Sequence, residues 1–248
     1  MSKKKQEQTV QTQKNVASQQ QKLKRHTLSK EAIQNNKKIY LNDSQKELYK
    51  GIRNNIFTIV QGPSGTGKTF ITCYTALSLL ADKKIDRIII TKPIVESGEN
   101  LGSLPGLIED KINPYEQSYY TNFCKIISKE KVDYLYSTGE IQFEPLAYMR
   151  GSTYDHCVML LDECQNATIK QLMLWITRMG KDSKAIMMGD ITQYDLKRKD
   201  TGYNDFINMI NDMDDVYQHK FSNNDIVRNK FLIEVANRYD MYRLTHDM

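Results

Sequence analysis

An α/β fold, with a mostly parallel sheet covered by helices on both faces, is expected from three observations on this 248-residue sequence. Short apolar runs suited to buried strands alternate with longer, helix-patterned segments. Two of the later runs end in Asp162-Glu163 and Gly189-Asp190, polar groups where ligands bind at the carboxyl ends of parallel strands. The first run, Ile56 to Val60, leads through Gly62-Pro63-Ser64-Gly65-Thr66-Gly67-Lys68-Thr69 into the helical stretch that starts at Phe70. That is the strand, loop and helix order in which G-x-x-x-x-G-K-[ST] cradles phosphate.

Residues 1–38 hold ten Lys/Arg against two Glu, with eight glutamines and few large apolar side chains. Such a segment cannot bury enough surface to offset its ordering entropy, so we expect a disordered tail. It serves either as a basic arm on nucleic-acid phosphates or as a solubilising extension. The tail carries +8 and residues 39–248 carry −3, so the net +5 belongs to the tail. Residues 39–248 form one domain. A helix is expected from about Asp43 to Asn54, ahead of the first strand. Arg87 to Thr91 reads as a strand buried on both faces. Lys92 to Gly106 reads as a loop, and residues 62–106 hold six of the twelve glycines. Residues 115–131 look helical and Glu140 to Leu146 extended. Cys157 to Leu161 is a third strand and Ala185 to Met188 a fourth. Between them Thr168-Ile169-Lys170-Gln171 is a capping box opening a helix through Arg178. A helix near 203–213, a strand from Tyr217 to Phe221 and a helix from about Asp225 to Tyr242 complete the chain.

The loop motif implies a bound nucleoside triphosphate. The turn through Gly62, Pro63, Ser64, Gly65, Thr66 and Gly67 surrounds the phosphates with backbone N–H groups, and the helix N-terminus through Phe70 stands behind them. Lys68 neutralises the β and γ phosphates and the Thr69 hydroxyl ligates Mg²⁺. Two adjacent acids at the end of a buried strand are costly without a cation. Asp162 is therefore expected to hold Mg²⁺ through water, and Glu163 to polarise the attacking water. Gln45 either reads adenine or caps its helix. Cys73, Cys124, Cys157 and Cys164 lack C-x-x-C spacing and read as reduced thiols; the four histidines are scattered. No apolar run reaches the roughly 20 residues of a membrane span, and no apolar leader is visible. A cytoplasmic protein is expected, with no membrane partner.

Gly189-Asp190-Ile191-Thr192-Gln193 resembles the third motif of superfamily 1 helicases, which implies that Gln193 senses the γ-phosphate; a loop amide is the other reading. From about residue 40 to 240 the chain resembles the PhoH family of phosphate-starvation-inducible ATPases. The resemblance rests on Gly62 to Thr69, Thr91 to Glu99, Leu101 to Gly106, Pro145 to Gly151, Leu161 to Asn166, Thr177 to Gly180, Gly189 to Leu196 and Asp225 to Arg228. It implies a RecA-like domain and an ATPase acting on RNA. Lys92 stands where the family usually has Arg, and Asn229-Lys230 where it has His-Pro. The family link to superfamily 1 implies single-stranded RNA or DNA contacts at Thr91, Lys92 and Arg150. Tyr119, Tyr120, Tyr134 and Tyr136 either stack bases or pack in the core. One RecA-like domain lacks the arginine that a second domain supplies. Arg228, or else Arg178, is therefore expected to reach a neighbour's site in a homo-oligomeric ring such as a hexamer. A nucleotide-gated, oligomerising switch with slow hydrolysis is the alternative to a helicase-like motor. The Lys-, Asn- and Ile-rich usage is that of an AT-rich genome, a phage's among them.

Overall fold

Alternation along the strands builds the core. In the computed structural model, which describes residues 28–34, 39–93, 108–190, 193 and 201–245, six strands form one sheet. They are Phe57–Gln61 (β1), Arg87–Thr91 (β2), Ile141–Phe143 (β3), Cys157–Leu161 (β4), Lys184–Gly189 (β5) and Val216–Lys220 (β6). The order is β3-β2-β4-β5-β1-β6, and every pairing is parallel. The helices are Lys30–Gln34 (α1), Asp43–Asn54 (α2), Lys68–Ala81 (α3), Ile108–Ile126 (α4), Lys129–Ser137 (α5), Ile169–Ile176 (α6), Tyr203–Ile210 (α7) and Lys230–Thr245 (α8).

Successive strand side chains point to opposite faces. Val60, Ile88, Ile90, Val158, Leu160, Ile186 and Met188 pack with residues of α2 to α5. Phe57, Ile59, Ile89, Met159, Leu161, Ala185 and Met187 pack with Leu172 and Trp175 of α6 and Tyr203 and Phe206 of α7. Both faces are therefore covered, as near-continuous apolar strands require. Register then positions the site. Gln61 sits level with Gly189 and with Lys220, and Thr91 with Leu161. The loops following β1, β2, β4, β5 and β6 consequently leave from one edge of the sheet.

Three segments differ from the sequence reading. The helical stretch placed at 115–131 is two helices, because Ser128 adopts extended backbone and its carbonyl accepts from the Lys131 and Val132 N–H groups, restarting the helix. The last helix begins at Lys230 rather than Asp225. Asp225 Oδ2 instead accepts the Ser222 N–H at 2.7 Å, which holds a 3₁₀ turn over Asn223–Asp225. The tail expected to be disordered over 1–38 contains α1, whose Ile33 is buried together with Leu28 in the core; Lys30 pairs with Asp82 at 2.9 Å. Two apolar anchors and an ion pair suffice to dock this short helix. The rest of the tail, and loop residues 94–106, lie outside the described residues.

α2 is tied to β6 by a polar seam. His219 Nε2 meets Ser44 Oγ at 3.1 Å, and its Nδ1 meets the Tyr217 hydroxyl at 3.2 Å. Burial, opposed by Glu47 and Asp225, holds the His219 imidazole below its ordinary pKa. The neutral ring is the folded form, so its stabilisation is fully present above about pH 6.5 and is lost as pH falls through the depressed value. Thermal melts from pH 8 to pH 5 should therefore show falling stability, with a shallower fall in His219→Gln. Parallel pH slopes in the two proteins would remove His219 from the account.

Candidate active site

The loop after β1 needs its glycines. Gly62 has φ 144°, and a Cβ there would fall 2.6 Å from Phe221 Cβ; Gly67 has φ 86°, with Gln45 Nε2 2.9 Å from the same position. A side chain at either would be strained and would also push the loop off its supports. Lys68, the first residue of α3, turns back so that its Nζ donates to Gly62 O at 2.6 Å and Pro63 O at 3.0 Å. Thr66 Oγ1 donates to Pro63 O at 3.1 Å, closing the turn from inside. Gln45 makes the helix cap. Asn42 Oδ1 accepts its N–H at 2.8 Å and its Oε1 accepts the Asn42 N–H at 3.2 Å. Its Nε2 donates to Thr66 O at 3.1 Å, so this buried side chain props the loop from behind.

Asp162 and Glu163 leave the end of β4 at the same edge. Glu163 is in the left-handed region, φ 52° and ψ 39°, a conformation costing a non-glycine residue about 1 kcal/mol or more. Its N–H donates to Asp162 Oδ1 at 3.0 Å. Glu163 Oε2 accepts from Gln165 Nε2 at 2.8 Å, and Lys92 Nζ lies 3.8 Å from Oε1. Gln165, to which the sequence reading gave no role, is the hub. It also donates to Gln193 O at 2.9 Å and accepts the Asp190 N–H at 3.1 Å. Gln193 Nε2 in turn donates to Asp190 Oδ2 at 3.0 Å. One buried amide thus links the acid after β4 to the loop after β5.

Lys68, Asp162, Glu163, Asp190 and Gln193 line a cavity of about 300 Å³. Ser64, Gly65, Gly67, Thr69 and Phe70 form one wall, with Lys68 facing Asp162, Glu163 and Asp190. Burial lowers the Lys68 pKa while those acids oppose it. Burial also raises the pKa of Asp162, aided by Glu163 and opposed by Lys92. An acid so placed is short of positive charge. Among the described residues no three His, Cys, Asp or Glu side chains form a metal site by themselves. Mg²⁺ is ordinarily held by one or two protein groups with phosphate oxygens and water, and Thr69 with Asp162 fits that requirement. Asn122 and Lys125 of α4 also line the cavity. Nothing in their sequence spacing announced this, because α4 reaches the site only by packing on α3.

The candidate arginines separate. Val227 N–H donates to Gly65 O at 3.0 Å, which lays the segment after β6 across the phosphate loop. Arg228 consequently lines the cavity of its own chain, whereas the sequence reading sent it to a neighbour. Arg178 lies at the opposite edge of the sheet, where its carbonyl accepts the Tyr154 N–H ahead of β4. Its guanidinium donates to Ser152 O and Thr177 Oγ1, both at 3.3 Å. Thr91, expected to meet nucleic-acid phosphate, is fully buried with its hydroxyl on Met149 Sδ, and its place inside the sheet removes it from that role. Lys92 turns to Glu163, and exposed Arg150 borders a separate cavity of about 410 Å³. Tyr119 is buried, and Tyr120 and Tyr136 pack against each other with centroids 5.9 Å apart. All four cysteines are free.

A parallel sheet with a lysine-bearing phosphate loop after β1, two acids after β4 and a polar loop after β5 defines a P-loop NTPase. The PhoH-like protein family profile matches residues 38–240, and the chain belongs to that family. It is 37% identical over 200 residues to a PhoH-like protein of Mycobacterium tuberculosis, covering 80% of this chain and 57% of that one. Identity to a PhoH-like protein of Bacillus subtilis is 35% over 197 residues, covering 79% and 62%. To Protein PhoH of Escherichia coli it is 37% over 159 residues, covering 63% and 45%. The chain thus spans about half the length of these relatives. A looser likeness links it to the Hef helicase domain of Pyrococcus furiosus, at TM-score 0.44 and 13% identity over 71% of this chain and 37% of that one.

Proposed function

We propose that this chain binds ATP with Mg²⁺, hydrolyses it, and uses the turnover to act on RNA or single-stranded DNA as a helicase-like motor or remodeller. The observation that carries the reading is one cavity gathering Lys68, Thr69, Asp162, Glu163, Gln193 and Arg228 from four separate segments. Phosphoryl transfer asks a protein chiefly to position groups and stabilise charge. Lys68 and the loop N–H groups hold the β and γ phosphates. Thr69 and Asp162 hold Mg²⁺, which supplies further positive charge at the phosphates. Glu163 accepts the proton of the attacking water. Gln193, bound to Asp190 and in contact with Gln165, relays the state of the γ-phosphate. Arg228 supplies its cation in cis.

The basic residues of the tail and the exposed Arg150 beside exposed Tyr148 support a nucleic-acid partner. No described helix is long and apolar enough to cross a membrane. The relatives above come from bacteria, which supports action in the cytoplasm of a bacterium or an infected host. A second reading, a nucleotide-gated switch that assembles as a homo-oligomer, is favoured by a specific observation. Phe231, Val235, Tyr239 and Tyr242 are exposed along one flank of α8, next to Arg228, and Phe231 is 70% exposed. ATP turnover measured with and without single-stranded RNA separates the two. Stimulation is the expected result; a flat, slow rate together with nucleotide-dependent assembly would favour the switch.

A further inference from the structure

The Tyr119 hydroxyl has no function in the scheme above, yet its placement is costly. Tyr119 is fully buried on α4, and its hydroxyl has no hydrogen-bond partner among the described residues. A buried phenol normally finds one. Its neighbours identify where that partner lies. Asn122, three residues further along the helix and so on the same face, lines the nucleotide cavity, so this face of α4 looks toward the site. The hydroxyl lies within interaction range of the Asp162 carboxylate, without having reached the geometry of a formed bond. Asp162 Oδ1 is already held by the Glu163 N–H. Cys73 and Glu163 also act on the phenol, but the buried thiol is a weak acceptor and Glu163 Oε2 is taken by Gln165 Nε2.

We infer that Tyr119 is a positioning residue for Asp162: its phenol O–H donates to the carboxylate that faces the divalent cation and fixes the rotamer in which it does so. This rests on the reading of Asp162 as the metal-facing acid. Groups that orient a metal-binding carboxylate from behind typically contribute about 10–100-fold in metal affinity or activity. A carboxylate clamped by the Glu163 N–H on one side and by a phenol on the other has little freedom to swing away from the cation. A phenylalanine at 119 fills the same space and removes only the donor.

The test uses the full chain with a non-hydrolysable ATP analogue, and Mn²⁺ binding read by electron paramagnetic resonance. Tyr119→Phe should weaken Mn²⁺ about 10-fold while the metal-free protein melts at or above the wild-type temperature, since an unsatisfied hydroxyl has been removed. In the Asp162→Asn background, itself weakened for Mn²⁺, Tyr119→Phe should add nothing further. Wild-type Mn²⁺ affinity in Tyr119→Phe, or an additive loss in the double variant, overturns the inference while leaving Asp162 in place. A lowered melting point with proportionate loss of nucleotide binding makes Tyr119 a packing residue and also overturns it. Undiminished Mn²⁺ binding in Asp162→Asn removes both the inference and the reading beneath it.

Discussion

Lys68→Ala should lose about 10²–10³ in ATP turnover, some 3–4 kcal/mol of barrier, and should bind nucleotide weakly. The ammonium faces three acids, Asp162, Glu163 and Asp190, and is held by the Gly62 and Pro63 carbonyls. Those carbonyls place the charge at the mouth of the loop, where phosphate oxygens would arrive. Removing it does two kinds of damage. The phosphates lose a preorganised cation, and the acids are left to repel both one another and the incoming anion. Folding should be spared. Burial already disfavours the charged lysine, and α3 keeps its packing through Ile71, Ala76 and Leu77. Equilibrium binding of a fluorescent ATP analogue, turnover and a melting curve together check the prediction. Wild-type turnover in Lys68→Ala would place the chemistry elsewhere in the molecule.

Much of this site is legible in the sequence, for a physical reason. Gly62 to Thr69 must be contiguous because a single backbone loop wraps the phosphates, so the sequence displays the whole wall at once. Asp162 and Glu163 are legible because two acids ending a fully apolar strand are too costly to bury without a cation nearby. The inner strands β2, β4 and β5 are legible because they are buried on both faces and so read as near-continuous apolar runs. Groups that act across the fold are harder to see. Gln165 looks like any amide after a strand, and its role emerges only when β4 and β5 lie side by side. Asn122, Lys125 and Tyr119 sit on a helix whose spacing reports packing and not direction. Thr91 looks available because it ends a strand beside a loop, yet Met149 covers it. Arg228 reads from the sequence as a residue for a neighbour's site, because one RecA-like domain lacks the arginine that a second domain supplies. The hydrogen bond from Val227 to Gly65, which brings Arg228 to its own cavity, joins segments far apart in the chain and leaves no local trace.

Glu163→Gln should separate binding from chemistry where Lys68→Ala does not. The amide is isosteric, and its oxygen can still accept from Gln165 Nε2, so the linked loops after β4 and β5 should keep their arrangement. What disappears is the group able to take a proton from water, worth about 10²–10⁴ in rate. The variant should therefore retain ATP while hydrolysing it at a small fraction of the wild-type rate. Glu163→Asp adds a geometric test, because it keeps the charge and withdraws it by one methylene, about 1.5 Å. A misplacement of that size costs on the order of 10²-fold, and asparagine-like side chains tolerate the left-handed backbone of position 163 well. A small effect of Glu163→Gln beside a large one of Glu163→Asp would mean that length and hydrogen bonding to Gln165 matter, and that proton transfer at this carboxylate does not. The opposite order, with the amide the more damaging of the two, is the result that assigns Glu163 to the water.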